Sequence, residues 1–272
     1  MPIIGNTDKM SAVVDASGVV QYEMKLGDNQ VHLNPLIGKS ITLRHTSKKN
    51  CVECNSLMLK SYRNTGFCQK CFYSLAKADA CRVSPEKCHY NNGTCREPSW
   101  GEENCFNSHI VYISNTGQRK VGITRHSSDS VSSRWLDQGA TSAVPFIATK
   151  NRLLSGIVES ILKNHVGDRT NWRKMLAETP KDDGLLELVE ELKSLVDSEI
   201  KELQVKYGLT SVQWLINPVV QHIDYPVNKY PEKPKSVNLD KELKVTGVLA
   251  GIKGQYLIFD DGAVVNIRKY AG

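Results

Sequence analysis

Apolar and polar positions alternate with a period of two at both ends of the chain. Residues 19–26 (VVQYEMKL) alternate, GDNQ (27–30) marks a turn, and SITLRH (40–45) alternates again. Near the C-terminus KVTGVLAGI (244–252), QYLIFD (255–260) and AVVNIRKY (263–270) repeat the pattern, the last two joined by an Asp-Gly turn. Five such strands suffice to close a small β-barrel in which the two ends of the chain meet. A barrel built from residues 1–50 and 241–272 is therefore the expectation.

The middle of the chain follows another rhythm. In LLELVEELKSLVDSEIKELQVKY, Leu185, Val189, Leu192, Val196, Ile200, Leu203 and Tyr207 recur every three or four residues, forming one apolar helical stripe that Gly208 ends. The stripe either packs on its own domain or offers a seam for self-association or a protein partner over residues 185–207. HIVYISNTGQRKVGITR (109–125) sets two apolar runs around a polar turn, a hairpin pattern, and RLLSGIVESILKNHV (152–166) reads as a helix. In GDRTNWRKML (167–176), Asp168 or Thr170 is the expected N-cap of a short helix that carries Trp172 and Arg173. Pro218, Pro226, Pro231 and Pro234 make residues 217–238 an extended linker or strap rather than a core element. The fold class is α+β. The expected organisation is N-terminal strands (1–50), a cysteine segment (51–108), a hairpin-and-helix domain (109–180), a helical segment (181–216), a proline-rich linker (217–240) and C-terminal strands (241–272).

Composition sharpens this picture in two places. The chain has no run of about 18 apolar residues, and MPIIGNTDKMSAVV lacks the basic start and apolar middle of a secretory signal. The expected setting is cytoplasmic, with no membrane partner. The net charge of +6 is unevenly spread: from Lys39 to Arg173, 20 basic against 10 acidic residues give +10, whereas from Lys174 to Tyr207, 5 against 9 give −4. The basic part is the surface that a polyanion would meet, and nucleic acid is the expected partner.

All eight cysteines lie between Cys51 and Cys105. Cys51-x2-Cys54 and Cys68-x2-Cys71 place two knuckles thirteen residues apart, a spacing that brings four thiolates to one tetrahedral zinc and leaves no open coordination position. Disulfides are the competing use of an even cysteine count, but paired CxxC motifs in a chain expected to be cytosolic favour metal. Cys81, Cys88, Cys95 and Cys105 supply a second, looser set with His109 in reserve; His89 adjoins Cys88, an awkward geometry for sharing one ion. Two structural zinc ions are expected.

HIVYISNTGQRKVGITR, followed by SSRWLDQGA and a helix containing VESIL, resembles the GIY-YIG nuclease superfamily in its divergent branches. Ile110-Val111-Tyr112 stands for the first triplet and Lys120-Val121-Gly122 for the second, with Arg134 as the helix arginine and Glu159 as the metal-holding glutamate. The likeness covers about 65 residues. Ile110 replaces the usual glycine, and Lys120 the second tyrosine. CREPSWGE, KVGITR, RWLDQGA and GIKGQYLIFDDG also resemble an uncharacterised bacterial protein family.

The nuclease resemblance implies phosphodiester hydrolysis. Tyr112 acts as or through the general base, Lys120 adds positive charge, Arg134 holds phosphoryl oxygens, and Glu159 binds Mg²⁺. Thr124, Arg125 and Gln138 would line the groove, with Trp172 stacking on a base and Arg173 reaching a phosphate. A non-catalytic zinc-dependent DNA- or RNA-binding module is the alternative. The hairpin supplies a geometric test. Tyr112 and Lys120 share a face only if Asn115 pairs with Arg119 across a three-residue loop, which sets Tyr112 opposite Gly122.

Overall fold

The computed structural model describes residues 1–125, 131–177 and 184–272; the expected boundary at 180/181 lies outside them. Strands β1 (Ser11–Val14), β2 (Val20–Leu26) and β3 (Asn29–His32) form an antiparallel three-stranded sheet. β4 (Ser40–Arg44) leaves that sheet after a 3-10 turn at Asn34–Leu36, and β5 (Lys49–Asn50) and β6 (Leu57–Met58) make the small hairpin of the cysteine segment. Two short helices, α1 (Gln69–Ser74) and α2 (Pro98–Cys105), complete that segment.

The central unit begins with β7 (His109–Asn115) and β8 (Arg119–Arg125), continues through α3 (Ser133–Gln138), β9 (Ser142–Thr149), α4 (Arg152–Leu162), α5 (Trp172–Met175) and α6 (Leu185–Tyr207), and adds β10 (Val212–Trp214) and β11 (Gln221–His222) at the edge. The sheet order is β10-β9-β7-β8, with β11 further along β9. Every residue of β7 is buried, as befits a strand covered on both faces. Val111, Ile113 and Val121 join the apolar side chains of α4 and α6, while Tyr112 and Ala143 join a core shared with the terminal strands.

The stripe of α6 closes one of these cores. Leu185, Val189, Leu192, Val196 and Ile200 are buried in it, each contributing roughly 1.5–3 kcal/mol relative to exposure. Leu203 is half-buried and Tyr207 exposed. Gly208, at φ 103°, ends the helix with its N–H on the Gln204 carbonyl.

At the C-terminus β12 (Lys235–Ser236), the short helix α7 (Leu239–Glu242), β13 (Lys244–Lys253), β14 (Tyr256–Phe259) and β15 (Ala263–Asn266) lead to a sheet of order β12-β15-β14-β13-β4. The chain ends do meet, because β4 pairs with β13 from Arg44↔Lys244 to Ser40↔Val248. The expected barrel does not form. β2 and β3 make their own sheet, and β4 and β12 remain edges at opposite sides of the five strands; the break at Asn34-Pro35 diverts the chain from one sheet to the other. The proline-rich segment also departs from expectation. Its β11 and β12 pair with neighbouring sheets, Ile223 is buried in the shared core, and the Tyr225 hydroxyl donates to the Ala140 carbonyl at 3.0 Å.

Candidate functional site

The hairpin register answers the parity test. Asn115 pairs with Arg119, Tyr112 with Gly122 and Ser114 with Lys120, around the loop Thr116-Gly117-Gln118. Gly117 takes φ 81°, and a Cβ there would strike the Lys174 backbone at 2.4 Å, so this tip requires glycine. Tyr112 and Lys120 consequently occupy the same face of the sheet. Gly122 has its own reason to lack a side chain, because a Cβ would lie 2.6 Å from the Tyr112 hydroxyl. The tyrosine ring covers the glycine on the neighbouring strand, and its other contact is the edge of Trp135 at 5.5 Å.

α3 starts at the Ser132 cap, whose hydroxyl accepts from the Arg134 N–H at 3.2 Å and lies 2.7 Å from Thr124 Oγ1. Gly139, left-handed at φ 68°, ends the helix, and this short turn sets Arg134 and Gln138 beside the hairpin. The Tyr112 hydroxyl donates to Gln138 Oε1 at 3.2 Å. Tyr112 is fully buried, and that burial pushes its phenol up to about 12 against the opposing pull of the Arg134 guanidinium. At neutral pH it is therefore a hydrogen-bond donor and not a phenolate.

Lys120 is only 5% exposed, with Nζ 3.4 Å from Thr170 Oγ1. Burial pushes its ammonium down to about 8; Arg134 works in the same direction, while Glu159 and Asp168 oppose it. Glu159, half-buried on α4, has its carboxyl raised by burial, with Lys163 and Arg134 countering. Lys163 bridges Glu159 at 3.6 Å and Asp168 at 3.3 Å. Val121 N–H donates to the Gly167 carbonyl at 2.9 Å, which ties the 167–170 segment to β8. The structure thus brings Tyr112, Lys120, Arg134 and Glu159 into one electrostatically coupled group. Lys163, Asp168 and Thr170 belong to it as well; the sequence offered Asp168 and Thr170 only as helix caps, and no motif marks Lys163.

The lining residues fare unevenly. Gln138 touches the tyrosine, Thr124 is spent on Ser132, and Arg125 donates through Nη2 to Asn104 Oδ1 at 2.6 Å. Trp172 is half-buried, stacked on Tyr256 at 6.1 Å with Arg173 over its ring at 4.3 Å. The cap of α5 is Asn171, which accepts from the Arg173 and Lys174 N–H groups, in place of Asp168 or Thr170.

The first cysteine set assembles as expected. The thiols of Cys51, Cys54, Cys68 and Cys71 all lie within 4.8 Å of one another, close enough to hold a metal ion. Cys54 and Cys68 sulfurs are 3.8 Å apart. Sulfurs about 2.3 Å from a tetrahedral zinc would be separated by about 3.8 Å, so the donor set fits that ion. The Cys68 N–H donates to Cys51 Sγ at 3.2 Å and the Cys71 N–H to Cys68 Sγ at 3.4 Å, and the latter bond pulls the Cys68 thiol below its ordinary value.

The second set does not gather in the same way. Among the described residues the other such cluster is Asp79, Cys81 and His89. His89 therefore sits with Cys81 and Asp79, beyond a 3-10 turn at Pro85–Lys87. Asp79 is already held by Arg96 Nε at 2.7 Å. His109, the reserve ligand, is buried in β7 with Nδ1 2.8 Å from the Asn107 carbonyl, outside this cluster.

Residues 38–272 match a family model described as protein of unknown function (DUF2797). The chain belongs to this family. No curated protein and no solved structure matches it. The family match begins just before β4, so it leaves out the β1–β3 sheet and takes in both cysteine sets, the hairpin, α3, α4 and the C-terminal sheet. Among the described residues no helix is long and apolar enough to cross a membrane.

Proposed function

We propose that this protein binds nucleic acid at the Tyr112–Lys120–Arg134–Glu159 group and hydrolyses a phosphodiester there with a divalent cation, on a divergent GIY-YIG-like scaffold stabilised by zinc. The observation that carries the reading is that four residues spread over 48 positions meet in one partly buried group through the three-residue hairpin loop that the reading requires.

Arg134 is an exposed residue acting on the Tyr112 phenol, and in this reading its guanidinium takes phosphoryl oxygens. Tyr112 holds its proton and donates, steadying a phosphate oxygen or a water. Lys120, pushed down to about 8, is the group able to exchange a proton near neutrality and takes the role of the second motif tyrosine. Glu159, with Asp168 nearby, is the oxygen donor for Mg²⁺, which one or two carboxylates plus substrate phosphates suffice to hold. Such an ion would neutralise charge on the phosphate. Two zinc ions remain part of the proposal, one at Cys51, Cys54, Cys68 and Cys71, the other among Cys81, Cys88, Cys95 and Cys105.

The pH profile of cleavage tests the assignment of Lys120. A base is active above its pKa, so cleavage of a labelled oligonucleotide should rise through pH about 8, and Lys120→Met should lose at least about tenfold in rate together with that rise. A profile unchanged in Lys120→Met rejects the assignment. One observation favours the non-catalytic module instead: Glu159 is bridged by Lys163 at 3.6 Å. On that reading, Lys120→Met weakens binding of intact oligonucleotide and no cleavage occurs under any divalent cation.

A further inference from the structure

Arg134 has company. Arg152, at the first turn of α4, donates through Nη2 to the carbonyl oxygen of Arg82 in the cysteine segment. Arg125 ends β8 in the cross-strand row Arg125↔His109↔Thr149, three residues before Arg152 in the chain. The Thr124–Ser132 contact at 2.7 Å brings the start of α3, and so Arg134, to the same end of the sheet. Ser133 and Arg268 then line one cleft of about 1040 Å³, which also takes in Lys9, Lys49 and Lys269 and runs between the zinc ribbon and the C-terminal sheet.

Five arginines from five separate elements therefore converge. Burial lowers the pKa of Arg82, and its neighbours Arg268, Arg134 and Arg125 lower it further by repulsion. Arg152 is lowered by burial too, with Arg82 and Arg134 adding to the effect. Among the described residues, none of the five has a carboxylate at ion-pair distance. In contrast, the lysines of the cleft that Arg268 lines are paired, Lys49 and Lys269 with Asp240 and Lys9 with Asp137. The opposing charges near the arginines are few, Glu159 beside Arg134 and the Cys105 and Cys81 thiols beside Arg152; five guanidinium groups gathered against these cost free energy in the unliganded protein, a cost that an anion with several spaced charges would offset.

We propose that Arg82, Arg125, Arg152 and Arg268 extend the Arg134 site into a track for a phosphodiester backbone, so that the ligand is a nucleic-acid strand of several nucleotides and not a mononucleotide or free phosphate. This rests on the nucleic-acid reading above. Arg134 meets the phosphate at the Tyr112–Glu159 group, and the other four hold the backbone phosphates that follow it. Arg268, beside the cleft, marks the direction in which the strand leaves.

The test is a salt titration of the full chain, zinc loaded, with a fluorescent 20-nucleotide single strand and a duplex of equal length. Each phosphate contact contributes about 0.7 to the slope of log affinity against log salt for a single strand. Arg82→Ala/Arg268→Ala should thus lower the slope by about 1.4 and the affinity roughly tenfold. Arg82→Lys/Arg268→Lys should restore the slope, and Lys193→Ala on α6 should change neither quantity. Because Arg82 also donates to the Lys77 carbonyl at 3.1 Å, Arg268→Glu alone serves as a second variant that leaves that bond intact. If the wild type binds and Arg134→Ala weakens it, while the double variant and Arg268→Glu bind with unchanged affinity and slope, the track is wrong and the site reading survives. Competition by thymidine monophosphate as strong as that by the 20-mer also overturns the track. Failure of the wild type to bind either probe overturns both.

Discussion

Lys253 carries an ammonium group into the buried interior. Its side chain is fully buried, Nζ sits 5.7 and 5.1 Å from the rings of Tyr225 and Tyr230, and among the described residues the Ala177 carbonyl lies at 3.5 Å. Burial pushes its pKa down from 10.5 to about 8. Between those values the unfolded chain keeps a proton that the folded chain has released, so stability rises with pH across that window. Lys120, also pushed down to about 8, acts in the same sense. Burial holds Tyr22 and Tyr225 well above their ordinary 10, so the folded state retains protons the unfolded chain loses, and the gain reverses above pH about 10. The urea midpoint should accordingly climb from pH 8, pass a maximum near 10 and fall. Lys253→Met should flatten the climb and add on the order of 1–3 kcal/mol at pH 7. Gly122 offers the opposite kind of test. Gly122→Ala puts a methyl 2.6 Å from the Tyr112 hydroxyl, and displacing the ring should cost about 1–3 kcal/mol in urea unfolding and shift the fluorescence of Trp135, its contact on the other side. The Gly122 requirement was half legible: the motif named the glycine, but only the Tyr112–Gly122 pairing shows what fills its space.

At the scale of elements, what could be read in the sequence is what depends on neighbours in the chain. The hairpin and the α6 stripe with its Gly208 end were legible because turn residues and helical period act over a few residues, whereas the loop length, and with it the register, was left for the structure to decide. The CxxC pairs were legible for the same reason, since each knuckle is a local turn. The barrel failed because strand pairing between residues 40 and 248 leaves no local trace, and because Asn34-Pro35 separates β3 from β4. The strap of 217–238 misled through its prolines: the residues between them, Gln221–His222 and Lys235–Ser236, still find strand edges to pair with. For the ribbon, the prediction is a metal dependence that leaves the central sheet untouched. Elemental analysis should find zinc retained at Cys51, Cys54, Cys68 and Cys71, and Cys54→Ser or a strong chelator should expose residues 49–78 to proteolysis while β7 to β9 stay protected. A ribbon equally protected without metal would refute a structural ion there.

Across the whole molecule, the candidate site lies where the two cores adjoin. The β7–β9 sheet is packed by α4 and α6 on one face and by the terminal strands on the other, and Tyr112, Trp135 and Leu136 stand in the core that the chain ends share. That arrangement explains why the roles of Lys163, Asp168, Thr170 and the arginines of the cysteine segment and C-terminus were invisible in the sequence. Each is an ordinary surface residue in its own element, and only the assembly of several elements gives it a role. The central claim is that this assembly acts on phosphodiesters, and the most direct measurement is hydrolysis of labelled single- and double-stranded DNA and RNA by the purified full chain with Mg²⁺. Cleavage of at least one substrate is expected, abolished by chelator and reduced at least about a hundredfold by Glu159→Ala, with the variant still folded and still binding. Equal hydrolysis by wild type and Glu159→Ala, or none on any substrate with Mg²⁺ or Mn²⁺, would contradict the claim.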